Sequence, residues 1–233
     1  MLQVHIRSAG YAEGEPIIHN IIFSVVSGEL VALIGANGAG KSTIIKAILG
    51  LLPHMDGTVS INGGGYAYVP EQPVYYDYLT LWEHMELLAA AKMLDTGWEE
   101  DAEELLRIFR MEESKHSYIG QFSKGMKQKV MLMLAFLAKP DFYIVDEPFL
   151  GLDPTAIRDF LTLLQKERKR GVGVLLCTHV LDTAERICER FLLVSSGELL
   201  ANGSLANIQQ LAGMPNATLM DCFDVIVRQE QYE

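Results

Sequence analysis

The sequence has few of the features that mark secreted, metal-binding or membrane-embedded proteins. It contains three cysteines in 233 residues, and Cys177, Cys188 and Cys222 are too far apart for a disulfide framework or a zinc site. Its longest uninterrupted apolar run, at 130–138, is less than half of the roughly 20 residues that a membrane-spanning helix needs. The N-terminus lacks the charged start and continuous apolar core of a secretory signal. We therefore expect a cytoplasmic protein with reduced, buried thiols.

The chain also lacks an excess of basic residues. Its 19 lysines and arginines are outnumbered by 30 acidic residues, which gives a formal net charge of −11. Proteins that grip nucleic acid or an anionic membrane use clustered lysine and arginine, so direct binding to either partner is disfavoured. Hydrophobic residues make up 49% of the chain, enough to bury a sizeable core.

Short β-rich runs alternate with helical stretches, which predicts a mixed α/β domain. Residues 29–35, 142–148 and 172–179 are predicted to be buried strands, and the first leads into a predicted helix at 41–52. A further helix is predicted at 153–171, because an Asp-Pro pair precedes its apolar face and a glycine follows its basic last turn.

Residues 80–138 contain no convincing strand. Thr80 and Glu83 have capping-box spacing at the start of one helix, and acidic residues fill the first turn of a second. We therefore expect one domain whose α/β core carries an inserted α-helical subdomain at about 75–140. The segment at about 204–233 carries no chemistry that we can identify and is predicted to be a packing or regulatory extension.

The strongest chemical signal is GANGAGKST at 35–43, which matches G-x-x-x-x-G-K-[ST] between a predicted strand and a predicted helix. Its glycines allow backbone N–H groups to wrap phosphate oxygens at the positive end of the following helix. Lys41 adds a full positive charge, and Ser42 offers a hydroxyl to Mg²⁺. Thr43 is expected mainly to pack at the helix start. The candidate nucleotide-binding residues are Gly35, Ala36, Asn37, Gly38, Ala39, Gly40, Lys41, Ser42 and Thr43.

A second acidic site follows the predicted strand at 142–148. Asp146 is placed to hold Mg²⁺, and Glu147 is placed to orient and deprotonate an attacking water. The alternative is that both are solvated acids at a strand end. His179 ends another predicted strand, and the ends of parallel strands gather ligands at one sheet edge.

Five motifs, GANGAGKST, FSKGMKQK, FYIVDEP, FLGLDP and CTH, occur in the order and at about the separations found in the ATP-binding subunits of ABC transporters. The chain resembles this family over residues 1 to about 200. The wording YVPEQPVYYDYLTLWEH, with FSKGM and FLGLDP, looks most like the ATPases of two-component bacterial exporters of the Ecs type. The resemblance implies a P-loop NTPase core, with a mixed or parallel sheet, flanking helices, an N-terminal antiparallel β part and an inserted α-helical subdomain.

The resemblance also implies an activity and its partners. Two chains, as a homodimer or as a heterodimer with a related ATPase, would close around two ATP molecules and hydrolyse them with Mg²⁺. From the inner face of the cell membrane, they would drive a separate membrane permease as part of an exporter. No nucleic acid is implied.

Site residues carry over from the family by position. Tyr11 matches the aromatic residue that stacks on adenine, and His179 matches the switch histidine that contacts the γ-phosphate. Lys41 and Glu147 take their expected catalytic roles. Asp153 falls in the loop that contacts the partner's site across the dimer, although capping its own helix is a sufficient local role.

The signature segment departs from the family's LSGGQ. The resemblance places it against the partner's ATP, with Ser123 and Gly125 in their usual positions. Met126 cannot make the hydrogen bonds of the usual glutamine. Lys124 is a candidate for compensation, because it adds charge near the phosphate. Phe122 is the third departure.

The segment after the predicted strand that ends in YVP is ambiguous in two respects. Glu71 falls where the family's Q-loop glutamine stands and Gln72 follows it, so both are candidates to reach Mg²⁺ or its water. The aromatic stretch at 74–82 matches the groove that receives a coupling helix of the permease, but packing within the helical lobe is an alternative.

Two other functions compete with transport. A non-transport ABC ATPase that acts on nucleic acid or ribosomes would favour a basic face, a coiled-coil insertion or a second ATPase cassette, and the sequence shows none of them. A nucleotide-binding module with weak catalysis is the other alternative. The intact Lys41, Asp146, Glu147 and His179 argue against it.

Overall fold

The chain divides into two units in the computed structural model, which describes residues 1–63 and 65–230. The first unit comprises Met1–Gly63 and Gly173–Glu233, and the second, Gly64–Val172, is inserted between these two segments of chain. The strands are β1 (Leu2–Gly10), β2 (Ile18–Val25), β3 (Leu30–Ile34), β4 (His54–Ile61), β5 (Tyr66–Val69), β6 (Phe142–Asp146), β7 (Gly173–Cys177), β8 (Arg190–Ser195) and β9 (Glu198–Gly203). The helices are α1 (Lys41–Ile48), α2 (Leu81–Lys92), α3 (Trp98–Phe109), α4 (Lys124–Leu137), α5 (Pro154–Lys169), α6 (Leu181–Ile187), α7 (Leu205–Ala212) and α8 (Leu219–Glu230), with 3₁₀ turns at Glu112–Ser114 and Ile119–Gln121.

The first unit contains two groups of paired strands. Strand β1 pairs antiparallel with β2 on one side and β4 on the other. Its alternate residues Leu2, Val4 and Ile6 are buried, as expected for a strand with one face on a core. Strand β3 pairs in parallel with β7 and β8, and β9 is antiparallel to β8. Both β3 and β7 are buried along their whole length, which explains their continuous apolar sequences.

The second unit combines two parallel strands with helices. Strand β5 pairs with β6. The unit also contains the helices α2, α3, α4 and α5, which lie where the sequence predicts helical structure. The predicted capping box at the start of α2 is confirmed, since Glu83 N donates to Thr80 Oγ1 at 3.3 Å and Thr80 N donates to Glu83 Oε2 at 2.7 Å. Arg110 after α3 forms an ion pair with Asp159 of α5 at 2.8 Å.

The predicted helix at 41–52 is too long by four residues at its C-terminus. Helix α1 ends at Ile48, because Gly50 adopts φ +69° and the chain reverses. Leu51 N donates to Lys46 O at 2.8 Å and Gly50 N donates to Ala47 O at 3.1 Å, a pair of bonds typical of a glycine-terminated helix. The two apolar residues that extended the helical pattern lie beyond this turn.

The segment at about 204–233 begins with two helices of the first unit, α7 and α8, and residues 231–233 lie outside the described residues. Leu219 N, at the start of α8, donates to Glu185 Oε2 of α6 at 2.7 Å. Leu219, Cys222 and Ile226 bury the inner face of α8. Among residues 1–63 and 65–230, no helix combines the length and the apolar character that crossing a membrane requires.

Candidate active site

The glycine-rich loop joins the end of β3 to the start of α1. Glycine is favoured at positions 35 and 40 because neighbouring atoms leave little room for a side chain. A Cβ would lie 2.5 Å from Val194 O at Gly35 and 3.0 Å from Ile18 Cγ2 at Gly40. Gly38 has open space around it but adopts φ +84°, which side chains disfavour. The loop is therefore shaped by packing behind it and by backbone freedom at its exposed tip.

A hairpin turn between β8 and β9 supports this loop from behind. Gly197 N donates to Ala39 O at 3.0 Å, and Gly197 O accepts from His19 N at 2.8 Å. A Cβ on Gly197 would lie 2.0 Å from Ile17 O, so only glycine fits. The sequence pattern does not predict this support. The available signal was the Ser-Gly pair at 196–197, which indicates a turn but does not show what the turn contacts.

Lys41 is 7% exposed, and its ammonium is held at the mouth of the loop. Nζ donates to Gly35 O at 2.7 Å and to Ala36 O at 3.1 Å. An ammonium has three N–H donors, so one remains for a ligand oxygen. The neighbouring residues Ala36, Asn37, Gly38 and Ser42 are exposed, whereas Ala39, Gly40 and Thr43 are buried.

Tyr11 lies beside α1 and is 46% exposed. Its hydroxyl oxygen accepts a hydrogen bond from Lys46 Nζ at 3.1 Å. This bond lowers the pKa of Tyr11, with smaller contributions from Thr43 and from the charge of Lys46, and together these outweigh the opposing effect of burial. The phenol is thus anchored at its hydroxyl while much of its ring remains accessible.

His179 follows β7 at the sheet edge where the glycine-rich loop follows β3. The two strands run in parallel with Leu33 opposite Cys177, and Thr178 N donates to Leu33 O at 3.2 Å. The imidazole is exposed. Within the first unit, the fold therefore gathers the glycine-rich loop and His179 at one edge, as the strand pattern predicts.

The two acids of the second unit are buried. Asp146 at the end of β6 is 5% exposed and Glu147 is 7% exposed, so the alternative of two solvated acids does not hold. Glu147 also adopts φ +46°. A non-glycine residue in this region costs about 1–3 kcal/mol and is typical of functional sites, where surrounding structure holds the strain.

Both Q-loop candidates follow β5, the strand that pairs with β6. Val69 of β5 is opposite Val145, so the chain leaving β5 and the chain leaving β6 emerge at the same edge. Glu71 and Gln72 are both exposed. The geometry therefore leaves each of them available to a ligand at this edge.

Ser123 is the residue that caps the start of α4. Its Oγ accepts from Met126 N at 3.3 Å, which caps the helix, and Phe122 before it is buried. Gly125 is required by crowding, because a Cβ there would lie 2.3 Å from Gly151 O. The signature segment and the loop after β6 are therefore in direct contact within the second unit.

A second contact joins the same two segments. Asp153 caps α5 by accepting from Ala156 N at 2.9 Å, and its other oxygen forms an ion pair with Lys129 of α4 at 3.1 Å. The hydrogen bond from the Ala156 amide, followed by that from Lys129, holds the pKa of Asp153 below its usual value. The sequence identified Asp153 as a cap but gave no indication of its pairing with Lys129.

Two clusters of the predicted residues result. The first unit brings together the glycine-rich loop, Tyr11 and His179. The second brings together Asp146, Glu147 and the Q-loop candidates at one strand edge, and joins the signature segment to Asp153. Lys124 is exposed beside Gly151, and Met126 is half-buried.

Comparison with known proteins identifies this arrangement. The sequence profile of the ABC transporter family matches residues 18–150. This chain belongs to the ABC transporter family. EcsA of Bacillus subtilis strain 168, an ABC-type transporter ATP-binding protein, is 42% identical over 99% of this chain and 98% of its own length.

Solved structures of ABC proteins agree with this assignment. The ATP-binding subunit of an ABC transporter superposes with a TM-score of 0.93 at 43% identity, covering 97% of this chain and 99% of that one. An ATP-binding cassette solved as a dimer in a post-hydrolysis state, with ADP and Pi bound, superposes with a TM-score of 0.78 at 25% identity, covering 88% and 99%.

These comparisons confirm the predicted fold class and activity. The chain has the mixed α/β fold of ABC ATPases. It is an ATP-binding protein and an ATPase, as members of this family are. Domains of this family dimerise and pair with membrane permeases.

Proposed function

We propose that this chain is the ATPase subunit of an exporter, acting as a single ABC ATPase domain. Two chains, identical or related, close head to tail around two Mg-ATP molecules and drive a separate membrane permease. The observation that carries the head-to-tail pairing is that the sequence holds one glycine-rich loop and one signature segment, Ser123–Met126, which is built on a capped helix and partly exposed. Two chains provide two complete sites when each signature faces the other chain's ATP.

The first unit supplies the phosphate-binding groups. The loop amides and the start of α1 hold the β- and γ-phosphates, and the remaining N–H donor of Lys41 neutralises charge that develops on them. Tyr11 stacks on adenine. His179 contacts the γ-phosphate.

The acids of the second unit supply the water chemistry. Glu147 orients the attacking water and accepts its proton, while the water attacks the γ-phosphate in line with the leaving ADP. The buried carboxylate of Asp146 and the exposed hydroxyl of Ser42 are oxygen donors of the kind that Mg²⁺ takes, alongside ATP phosphates and water. Bound Mg²⁺ would neutralise phosphate charge. Glu71 or Gln72 would supply a further oxygen donor to this ion or to its water.

The trans groups complete the site from the other chain. Ser123 and Gly125, at the N-terminus of α4, present a helix end and a hydroxyl to the γ-phosphate, and Lys124 adds a charge there. Met126 contributes contact area rather than the hydrogen bonds of the usual glutamine. Asp153 contacts the partner's site through the same loop that packs on Gly125.

The first test replaces the proposed base. We expect Glu147→Gln to retain ATP binding, to stop phosphate release and to accumulate ATP-dependent dimers in size-exclusion chromatography, because the amide keeps the size of the side chain but accepts no proton. Glu86→Gln, at an exposed position on α2, is the matched control and should hydrolyse ATP normally. Turnover by Glu147→Gln at the wild-type rate would contradict the assignment.

The membrane partner is placed on the aromatic stretch that follows β5. Part of this stretch packs within the unit. The centroid of the Tyr75 ring lies 5.0 Å from Lys127 Nζ, and the ring centroids of Trp82 and Trp98 are 5.4 Å apart. Three other side chains of this stretch are largely exposed to solvent. Val74 is 74% exposed, Tyr76 63% and Tyr78 91%.

This exposed part is the proposed docking surface for a coupling helix of the permease, which would hold the ATPase at the inner face of the membrane. Tyr76 N donates to His84 Nε2 at 2.9 Å, which fixes the backbone. One side of the Tyr76 ring also packs on the His84 ring, with 5.9 Å between their centroids, and the Tyr78 ring faces solvent. Exposed aromatic residues on a fixed backbone favour a protein partner.

The second test removes this surface. We expect Tyr76→Ala combined with Tyr78→Ala to abolish copurification with a multi-span membrane protein while the isolated chain still hydrolyses ATP. Met93→Ala, also in the second unit and 86% exposed, should leave copurification intact. Recovery of ribosomes or nucleic acid in place of a membrane protein would favour the non-transport alternative and would contradict the proposal.

A further inference from the structure

Lys46 contacts Tyr11 in two ways although it lies outside the glycine-rich motif. Its Nζ donates to the phenol oxygen at 3.1 Å and lies 5.0 Å from the ring centroid. Lys46 is on the exposed side of α1, where a lysine ordinarily extends into water. Here its ammonium instead contacts an aromatic ring that is itself half exposed.

The two residues are held on rigid supports. The turn after β1 is closed by Glu15 N donating to Ala12 O at 3.3 Å and by Ile17 N donating to Ala9 O at 2.8 Å. The turn fixes the backbone of Tyr11, and the buried inner face of α1 fixes that of Lys46. The rotation of the Tyr11 ring is the remaining freedom, and the bond from Lys46 restricts it.

We propose that Lys46 is a positioning residue that holds the Tyr11 ring ready to stack on the nucleotide base, so that the protein favours ATP over a polyphosphate without a base. This inference rests on the proposed role of Tyr11 in stacking on adenine. Restricting one side chain before binding removes an ordering cost that binding must otherwise meet. Its loss therefore weakens ATP binding by about threefold to tenfold.

A charge effect is the competing explanation, since Lys46 lies one and a half turns after Lys41 and its ammonium would attract any polyanion. The two explanations differ in their dependence on the base. Long-range attraction acts equally on ATP and on inorganic tripolyphosphate, which carries similar charge but no base. Positioning of Tyr11 acts on ATP alone.

The experiment measures binding of ATP and of inorganic tripolyphosphate to the full chain by isothermal titration calorimetry. Lys46→Met keeps an unbranched side chain, shorter by one atom and of similar helical preference, but removes both contacts of the ammonium. We expect it to weaken ATP binding by about threefold to tenfold and to leave tripolyphosphate binding unchanged, which also shows that the glycine-rich loop is still folded. Lys169→Met, which removes one charge from the end of α5, is the matched control and should change neither affinity.

Equal weakening for both ligands, or no weakening of ATP binding, would overturn the inference. Tyr11→Leu separates this failure from a failure of the proposed role of Tyr11. If Tyr11→Leu weakens the binding of ATP but not that of tripolyphosphate, and Lys46→Met changes neither affinity, only the proposed role of Lys46 is wrong. If Tyr11→Leu affects neither ligand, Tyr11 does not stack on the base and both assignments are wrong. In Tyr11→Phe, which lacks the hydroxyl, Lys46→Met should have a smaller effect on ATP binding than in the natural sequence.

Discussion

Glycine is required for different physical reasons in the glycine-rich loop and in the signature segment of this ATPase. Gly38 adopts a left-handed backbone conformation in open space, whereas Gly125 leaves room for the carbonyl of Gly151. A side chain would be disfavoured at both positions, at the first through backbone strain and at the second through collision. The same residue type therefore predicts different consequences of substitution.

Replacing each glycine with alanine tests this distinction. Gly38→Ala should lower the free energy of unfolding by about 1–2 kcal/mol, the cost of the left-handed conformation. Gly125→Ala should lower the free energy of unfolding by more than Gly38→Ala does, because a Cβ 2.3 Å from a backbone oxygen requires α4 or the loop after β6 to move. Urea unfolding followed by circular dichroism provides the comparison. Equal losses, or a smaller loss at Gly125, would show that the segment gives way easily.

The sequence was sufficient for residues whose partners are close along the chain. The caps formed by Ser123 and Asp153 reach only three residues ahead, so spacing alone predicts them. The pairs Lys46–Tyr11 and Lys129–Asp153 and the turn at Gly197 depend on tertiary packing, which spacing does not encode. The positive φ of Glu147 likewise follows from its surroundings and not from its residue type.

At the scale of elements, α4 and the loop that precedes α5 form one linked structure. Gly125 packs on Gly151, and Lys129 is paired with Asp153. Lys129 is largely covered, with its side chain 14% exposed, and it also donates to Phe109 O at 3.4 Å. Movement of the signature helix would therefore be transmitted to the loop that carries Asp153.

The pKa of Asp153 reports on this link. We expect Lys129→Met to raise it, but to leave it below the usual aspartate value, because the larger contribution, the Ala156 amide, remains. Because folding lowers the pKa of the Asp153 carboxyl, the stabilisation from this link is fully present above the ordinary aspartate pKa near 3.9. It is lost as the pH falls through the pKa that Asp153 has in the folded protein. The link is therefore complete at neutral pH.

NMR titration of the Asp153 carboxyl carbon in the wild type and in Lys129→Met measures the change. Lys166→Met, at an exposed position on α5, is the control and should leave the titration as it is. An Asp153 pKa that does not move when Lys129 is replaced would show that the two residues are not coupled in solution.

Element boundaries show where sequence patterns lose resolution. Strands β3, β6 and β7 match the predicted apolar runs because buried parallel strands require them. Helix α1 was predicted four residues too long, since Leu51 and Leu52 continue its apolar pattern past Gly50. Hydrophobic periodicity does not register the sign of φ, and the glycine was the better signal.

At the scale of the whole molecule, charge separates two routes to a membrane. A net charge of −11 opposes binding to anionic lipid, whereas a permease offers a protein surface to the exposed aromatic residues. The charge also argues against nucleic acid as a partner, for the same physical reason.

Vesicle flotation distinguishes these routes. The isolated chain should stay at the bottom of the gradient with anionic phospholipid vesicles at low salt, where electrostatic attraction would be strongest. Vesicles that contain the permease should carry it to the top. Flotation of the isolated chain with protein-free anionic vesicles would contradict the proposed route.

The turn at Gly197 has a kinetic consequence. The hydrogen bond from Gly197 N to Ala39 O and the close packing at Gly40 already fix the back of the glycine-rich loop. An arriving nucleotide therefore meets a loop whose backbone is largely in place. Association then requires little rearrangement, and diffusional encounter sets its rate. Nucleotides that differ in affinity should thus arrive at similar rates and differ mainly in residence time.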